Sequence, residues 1–297
     1  VVDAFLGGSA VPQRENRKAG FVALIGAPNA GKSPLMNQLV GAKVSIVTHK
    51  VQTTRGIVRG ILTENATQVV FMDTPGIFEP RRRLDRAMVT SAWGGARDAD
   101  LIALLIDVER GVRGDAERIL EHLPKVSGRK ILILNKVDRV ETDSLLKLSE
   151  EINGRVEFDQ TFMISALKGH GCKDLVAYLE ESMPLGPWFY PDDQLSDLPM
   201  RQLAAELTRE KLYLRLHQEL PYSAHVETEN WTENKDGSVK VEQVVYIQRE
   251  AHKKIVIGKG GQTLKAISMA ARQELTEILE QKVHLFIFIK VRQNWGD

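Results

Sequence analysis

The chain has 297 residues, of which 43% are hydrophobic and 27% are charged, and its formal net charge is +1. This length is enough to bury two separate cores, and the ordinary composition excludes a largely disordered chain. Because the net charge is close to zero, any charge-driven binding must come from local patches. The single cysteine, Cys172, excludes an intramolecular disulfide and is typical of a reducing compartment.

The apolar stretches of the sequence are too short to cross a bilayer, which needs roughly 20 residues. Residues 101–106 are one of the longest, and they indicate a buried strand. In the first twenty residues a brief apolar segment precedes the basic residues, which is the wrong order for a secretory signal. We therefore expect a cytoplasmic protein with an N-terminal tail over residues 1–19.

Short apolar runs alternate with helical segments over the first half of the chain. Runs this apolar indicate strands that are covered on both faces, as in a mostly parallel sheet with crossover helices. The runs are residues 21–25, 69–72, 101–106, 131–134 and 161–164. We predict an α/β domain over residues 20–185, with its ligand site at the carboxyl ends of the strands.

A proline-rich and aspartate-rich stretch at residues 184–199 ends this pattern, and we predict a linker over residues 186–199. An α+β domain is predicted beyond it, over residues 200–297. The predicted elements are a helix (200–219), two strands (222–231 and 239–248), a short helix (251–257), a loop (258–261), a long helix (262–280) and a strand (283–291). The long helix carries an apolar stripe that indicates core packing, formed by Leu264, Ile267, Ala271, Leu275 and Ile278.

The first apolar run leads directly into a glycine-rich loop with the pattern G-x-x-x-x-G-K-S. The loop consists of Gly26, Ala27, Pro28, Asn29, Ala30, Gly31, Lys32 and Ser33. Such a loop wraps its backbone N–H groups around phosphate oxygens, while Lys32 reaches the outer phosphates and Ser33 coordinates Mg²⁺. The alternative for this motif alone is an ordinary glycine turn that caps a helix.

The second apolar run ends in a further motif, formed by Asp73, Thr74, Pro75 and Gly76. A carboxylate at this place can hold the Mg²⁺ shell, and the Gly76 N–H can meet a γ-phosphate. Taken alone, the motif is also compatible with a simple Pro-Gly turn.

Two motifs at the ends of later strands indicate that the base is guanine. Asn135, Lys136, Val137 and Asp138 form the first, and Ser165, Ala166 and Leu167 form the second. A carboxylate at Asp138 accepts hydrogen bonds from the paired N–H groups of guanine, which adenine lacks, so we predict GTP rather than ATP. Lys136 can lay its stem along the ring. Helix capping by Asn135 and Asp138, and an ATP-dependent kinase, are the alternatives.

These motifs together resemble the Era-type GTPases of the TrmE-Era-EngA-like group, which carry a C-terminal type II KH domain. Supporting strings are Gln52-Thr53-Thr54-Arg55, Ile77 after Gly76, and residues 256–261. The resemblance implies an α/β P-loop GTPase domain that hydrolyses GTP, with Mg²⁺ held by Ser33, Thr54 and Asp73. It places Thr53 second to Thr54 as a Mg²⁺ ligand, and it implies catalytic roles for Lys32, Thr54, Gly76 and Asn29.

Ile77 occupies the position at which Ras-like enzymes carry a glutamine that orients the attacking water. An apolar side chain cannot polarise water. In relatives with asparagine at the place of Asn29, a bound K⁺ supplies positive charge near the phosphates, so we expect slow, K⁺-assisted hydrolysis. The alternative is that Asn29 only braces the loop.

Pro34 departs from the family pattern, which has threonine after the Mg²⁺-binding serine. Proline has no N–H to donate to the α-phosphate, and it is expected to push Ser33 away from helical backbone angles. We therefore expect weaker nucleotide binding. An RNA-binding scaffold with an impaired nucleotide site is the alternative function.

Basic side chains surround the predicted loop of the second domain and indicate an RNA-binding surface. The predicted contacts are Lys253, Lys254, Ile257, Gly258, Lys259, Gly260, Gly261 and Lys265. The resemblance implies 16S ribosomal RNA near its 3′ end and the 30S subunit as partners. We expect a monomer, with peripheral contact at the inner face of the cell membrane left open.

Overall fold

The computed structural model describes residues 16–48, 53–80, 83–216 and 224–292. Gln52 of the string Gln52-Thr53-Thr54-Arg55 lies outside these ranges, as do the helix end predicted at residue 219 and the strand start predicted at residue 222. Most of the predicted tail, residues 1–15, is also outside them.

The N-terminal domain is a six-stranded sheet with the order β2-β3-β1-β4-β5-β6. All neighbouring strands are parallel except β2, which pairs antiparallel with β3. The strands are β1 (Lys18–Gly26), β2 (Val58–Glu64), β3 (Thr67–Asp73), β4 (Leu101–Asp107), β5 (Arg129–Asn135) and β6 (Gln160–Ile164). The helices are α1 (Lys32–Val40), α2 (Arg83–Asp98), α3 (Asp115–His122), α4 (Thr142–Asn153) and α5 (Cys172–Ser182).

The burial of each strand explains whether the sequence pattern predicted it. All seven residues of β3 and of β4 are buried, because helices cover both faces of the sheet. Strand β2 lies at the edge and is only half-buried, so it has no continuous apolar run and the sequence analysis missed it. The predicted tail was also too long, since β1 begins at Lys18 and pairs there with β3.

The predicted linker runs along the edge of the sheet and is anchored to it. The Ile61 N–H donates to the Leu195 carbonyl (2.8 Å), and the Trp188 indole donates to the Ala66 carbonyl (3.2 Å). The ring of Phe189 packs against that of Phe21, with 4.7 Å between the centroids. Within the described range 83–216, the segment between α5 and residue 200 contains no helix or strand, as its prolines predict.

The C-terminal domain packs three helices on one face of a three-stranded sheet with the order β7-β8-β9. Its elements are α6 (Met200–Arg215), β7 (Ala224–Glu233), β8 (Val239–Ile247), α7 (Glu250–Ile257), α8 (Gln262–Leu279) and β9 (Val283–Val291). Strand β8 is antiparallel to β7 and parallel to β9. Of the predicted stripe on α8, Ile267, Ala271 and Leu275 are fully buried and Ile278 packs against the core, whereas Leu264 is only half-buried.

A helix crosses a bilayer only if it is both long and apolar. None of the helices in the described ranges combines the length and the apolar composition that a transmembrane span requires.

Candidate nucleotide site and RNA-binding loop

A cleft of about 430 Å³ opens at the carboxyl ends of the parallel strands. Thirteen of the predicted nucleotide-site residues line it, which are Pro28, Asn29, Gly31, Lys32, Ser33, Thr54, Gly76, Asn135, Lys136, Asp138, Ser165, Ala166 and Leu167. The strands therefore bring the sequence motifs together in the place that an open α/β sheet provides for a ligand.

The glycine-rich loop is shaped by a close contact with the guanine motif. Gly31 has φ 103°, and a Cβ at this position would lie 2.1 Å from Nδ2 of Asn135, so no other residue fits. The Lys32 ammonium donates to the carbonyls of Gly26 (3.3 Å) and Ala27 (3.2 Å). Burial lowers the pKa of Lys32 to about 8, and the nearby Asp73 carboxylate opposes this change.

Pro34 is accommodated in the first turn of α1, which begins at Lys32. The N–H groups of a first turn have no acceptor inside the helix, so proline costs little there. The predicted displacement of Ser33 from helical backbone was wrong, since α1 includes Ser33. Its hydroxyl donates to Oδ2 of Asp73 at 2.5 Å, so it lies beside the carboxylate that we predict to bind Mg²⁺.

Three hydroxyl groups converge on the Asp73 carboxylate. Its Oδ2 accepts from Ser33 (2.5 Å), Ser45 (2.8 Å) and Thr54 (3.4 Å). Its Oδ1 is buried and has no hydrogen-bond partner among the residues that the structure describes, and burial raises the pKa of Asp73. A buried carboxylate oxygen beside hydroxyl oxygens is a hard donor set, which fits Mg²⁺. Ser45 belongs to no motif, and the sequence analysis missed it.

Two further observations bear on the metal position. Oγ1 of Thr54 lies 3.3 Å from Oγ of Ser33, whereas Oγ1 of Thr53 bonds to Thr48 (2.7 Å), which favours Thr54 over Thr53. No group of three His, Cys, Asp or Glu side chains that could hold a metal ion occurs in the described ranges. A Mg²⁺ ion at Asp73 would therefore take its other ligands from hydroxyls, phosphate and water.

Asn135 joins the loops of the cleft. Its Nδ2 donates to the Ala30 carbonyl (2.9 Å), and its Oδ1 accepts the N–H groups of Lys136 (2.8 Å) and Ala166 (3.0 Å). Asn135 is 2% exposed, so these bonds are shielded from water. Asn135 thus joins the glycine-rich loop to the two loops that carry the predicted guanine motifs.

The base side of the cleft presents an ionised carboxylate. Hydrogen bonds from Ser165 and Lys168 lower the pKa of Asp138 to about 2, and Nζ of Lys168 lies 3.0 Å from Oδ2 of Asp138. Lys136 is held by Oδ2 of Asp107 (2.5 Å) and by the Asn29 carbonyl (3.1 Å). Asp107 was not predicted, although it ends a buried strand as Asp73 does.

Several predicted site residues turn their side chains into the protein. Ala27, Ile77 and Val137 pack against one core and Ala30 against the other, and Thr74 donates to the Leu24 carbonyl (2.7 Å). Pro75 is also buried. We predict that these residues support the loops by packing and meet a nucleotide only through their backbone.

The predicted RNA-binding loop joins α7 to α8. Gly258 has φ 76°, and a Cβ there would lie 2.2 Å from Oγ1 of Thr263, whereas Gly260 (φ 58°) faces open space. Lys254, Lys259 and Lys265 are exposed. Lys253, Ile257 and Gly261 are half-buried. The predicted residues thus form one basic surface at the N-terminus of α8.

The fold and the two sites define a P-loop GTPase with an appended KH domain. Residues 21–136 match the family of 50S ribosome-binding GTPases, and residues 219–296 match the KH domain. GTPase Era of Rhizobium meliloti (strain 1021) is 68% identical over 97% of this chain and 91% of its own length. GTPase Era of Agrobacterium fabrum (strain C58 / ATCC 33970) is 69% identical over 94% of this chain and 88% of its own length.

A solved structure is similar over almost the whole length of both chains. It is Era in complex with MgGDPNP and nucleotides 1506–1542 of 16S ribosomal RNA, with a TM-score of 0.90 and 37% identity. The match covers 94% of this chain and 95% of that chain. The chain belongs to the GTPase Era family, and the kinase alternative is set aside.

We predict that Asp138→Asn weakens GTP binding at least about tenfold, because each lost charge-assisted hydrogen bond is worth roughly 1.5–3 kcal/mol. Binding of xanthosine triphosphate should improve, since an amide N–H can donate to the xanthine oxygen that replaces the guanine amino group. Competition titrations with both nucleotides measure this. Asp143→Asn, an exposed acid on α4, is the control. An unchanged order of the two affinities would show that Asp138 does not read the base.

Proposed function

We propose that this protein is a GTP-hydrolysing switch that binds 16S ribosomal RNA near its 3′ end and assists assembly of the 30S subunit. The observation that carries the proposal is the pairing, in one chain, of a cleft with an ionised Asp138 and a KH loop with exposed lysines. A relative that is 37% identical over nearly its whole length binds MgGDPNP together with this RNA, which supports the assignment.

The residues of the cleft have different roles in phosphoryl transfer. The N–H groups of the glycine-rich loop and the N-terminus of α1 bind the phosphates, and Lys32 exchanges its two carbonyl partners for phosphate oxygens. Ser33, Thr54 and Asp73 would hold Mg²⁺, and the bound ion would supply positive charge next to the phosphates. The Gly76 N–H donates to the γ-phosphate. Gly76 lies close to the glycine-rich loop, since a Cβ on Gly76 would be 3.0 Å from Pro28.

Hydrolysis needs a source of positive charge beyond these residues. Ile77 is buried against the core and leaves no polar group at the position of the water-orienting glutamine. Asn29 lines the cleft beside the phosphate loop with φ 64°. We propose that its side-chain oxygen binds K⁺, which stabilises the charge of the transition state much as an arginine finger would.

Pro34 sets how well the nucleotide is held. It lines the cleft next to Ser33, in the place where an N–H would face the α-phosphate. Loss of this hydrogen bond, worth roughly 1.5–3 kcal/mol, weakens binding by about one to two orders of magnitude. The alternative, an RNA-binding scaffold without Mg²⁺-dependent GTP binding, rests on this same residue.

Localisation and oligomeric state form a further part of the proposal. A ribosomal RNA partner favours action in the cytoplasm, and we expect the protein to act there as a monomer. Peripheral contact with the membrane is a second expectation, in addition to action in the cytoplasm. Sedimentation of the purified protein with and without anionic vesicles separates these two expectations.

We expect GTP turnover to be several-fold faster in KCl than in NaCl of equal ionic strength, because only K⁺ fills the site at Asn29. Asn29→Gly should abolish the difference, since it removes the amide while keeping a backbone that tolerates positive φ. Asn65→Gly, at φ 53° in the turn after β2, is the matched control and should keep the difference. Equal wild-type turnover in both salts would support the bracing role of Asn29 instead.

Pro34→Thr should tighten GTP binding at least several-fold, because the new N–H restores the missing donor. Isothermal titration of the wild-type and variant chains with a non-hydrolysable GTP analogue and Mg²⁺ measures the gain. Pro124→Thr, at an exposed proline in the turn after α3, should change nothing. Equal affinity of wild type and Pro34→Thr would contradict our account of the loop.

Gly260→Asp should lower affinity for a short RNA with the 16S 3′-end sequence at least about tenfold, by placing an anion in the phosphate path. Gly237→Asp is matched to it, since both glycines have positive φ and open space around them. Fluorescence anisotropy of the labelled RNA measures binding, and GTP turnover is recorded with and without the RNA. Equal losses in both variants would rule out a specific role for the loop.

A further inference from the structure

Helix α6 is the first helix of the C-terminal domain, which we also call the KH-side domain. It packs against the segment that leads to the proposed Mg²⁺ site. We call residues 43–48 and 53–55 the switch segment. The Val47 N–H donates to Oε1 of Glu210 (2.8 Å), while Oε2 of Glu210 accepts from Lys43 (2.8 Å). The side chain of Ile46 joins the core of the second domain. The two domains therefore share a polar and apolar contact directly beside the nucleotide cleft.

Arg209 of α6 is buried in this contact. It is 1% exposed, and its Nη2 donates to the Thr53 carbonyl at 2.5 Å. Both Nε and Nη2 also contact the Glu206 carboxylate, and the Nε bond measures 2.9 Å. Two contacts with one carboxylate fix the plane of the guanidinium, so its N–H is aimed at the carbonyl before any ligand binds.

The Thr53 carbonyl belongs to the peptide unit that carries the Thr54 N–H. Because this unit is planar, a hydrogen bond to its oxygen fixes the orientation of the peptide plane and with it the position of the Thr54 Cα. Oγ1 of Thr54 lies 3.3 Å from Oγ of Ser33 and 3.4 Å from Oδ2 of Asp73. Arg209 is thus connected to the Mg²⁺ ligand set by one peptide unit and one side chain.

The other flank of Thr54 is held by the same domain. Arg55 donates to the Tyr213 hydroxyl (3.2 Å) and to the Ala224 carbonyl (3.1 Å). The guanidinium of Arg209 lies over the ring of that tyrosine, 5.3 Å from its centroid. Thr54 therefore has residues bound to the second domain on both sides.

We propose that Arg209 is a positioning residue for the Mg²⁺ site: through the Thr53 carbonyl, the KH-side domain places Thr54 where it coordinates the ion. The proposal rests on the proposed function, since it assumes Mg²⁺-dependent GTP binding in the cleft. One domain of the chain then completes the metal site of the other.

The test compares full-length wild type with Arg209→Met combined with Glu206→Gln, which avoids leaving the carboxylate unpaired. A fluorescent non-hydrolysable GTP analogue is titrated with Mg²⁺. We expect the half-saturating Mg²⁺ concentration to rise at least about tenfold, as for other partners that orient a metal ligand. Affinity for GDP without Mg²⁺ should change less than about twofold, and kcat should fall more than KM rises at saturating Mg²⁺.

Two further variants separate positioning from simple support of the fold. Arg209→Lys keeps the charge but cannot form the fork, so it should recover part of the Mg²⁺ response. Arg215→Met, at an exposed position on the same helix, should behave as wild type. An unchanged Mg²⁺ midpoint in the Arg209 variant, or an equal loss of Mg²⁺-free GDP binding, would overturn the proposal.

A nucleotide-free measurement distinguishes this proposal from the proposed function. Trypsin cleavage after Arg55 should be faster in the Arg209 variant than in wild type, because the switch segment loses its contact. If wild type binds no GTP analogue, the proposed function fails and the Mg²⁺ role fails with it. An unchanged cleavage rate would overturn the positioning role by itself, whatever the nucleotide binding.

Discussion

The carboxylate of Asp73 is the charge on which the arrangement of the cleft depends. It ends a fully buried strand, and it accepts hydrogen bonds from the hydroxyl groups of Ser33 in α1 and of Ser45 and Thr54 in the switch segment. Burying a carboxylate without its partners is costly, so these hydroxyls are drawn to it even when no cation is present. The same geometry is what a divalent cation requires. The hydrogen bonds to a buried anion therefore hold the proposed Mg²⁺ ligands together.

This dependence extends beyond the N-terminal domain. Thr54 contacts Asp73, and the residues on either side of Thr54 are bound to the other domain. Thr53 is bound to α6 and Arg55 to β7. The interdomain contact also buries Glu210, which is 2% exposed and bonds to both Lys43 and the Val47 N–H. A change in the position of the KH-side domain would therefore act directly on the proposed Mg²⁺ ligand Thr54. The reverse also holds, because coupling between two sites is reciprocal.

Features that a local pattern encodes were predicted from the sequence, and features created by the tertiary fold were not. Buried strands with motifs at their carboxyl ends located the cleft, because continuous apolar runs indicate parallel strands. Ser45 and Asp107 were missed, since neither belongs to a motif. Arg209 looks like one more charge on a helix, and only the packing of the domains shows that it reaches Thr53. The edge strand β2 was missed because half of its residues stay near water.

The attachment of the linker limits how the two domains can move. The Ser196 hydroxyl donates to the Arg59 carbonyl (2.8 Å), and Asp197 pairs with the Arg59 guanidinium (2.9 Å). Since α6 begins at Met200, only Leu198 and Pro199 separate the last anchor from the helix. Two residues span about 7 Å when fully extended. The KH-side domain can therefore rotate about this point, but it cannot move away from the sheet edge unless the contacts between the linker and that edge break first.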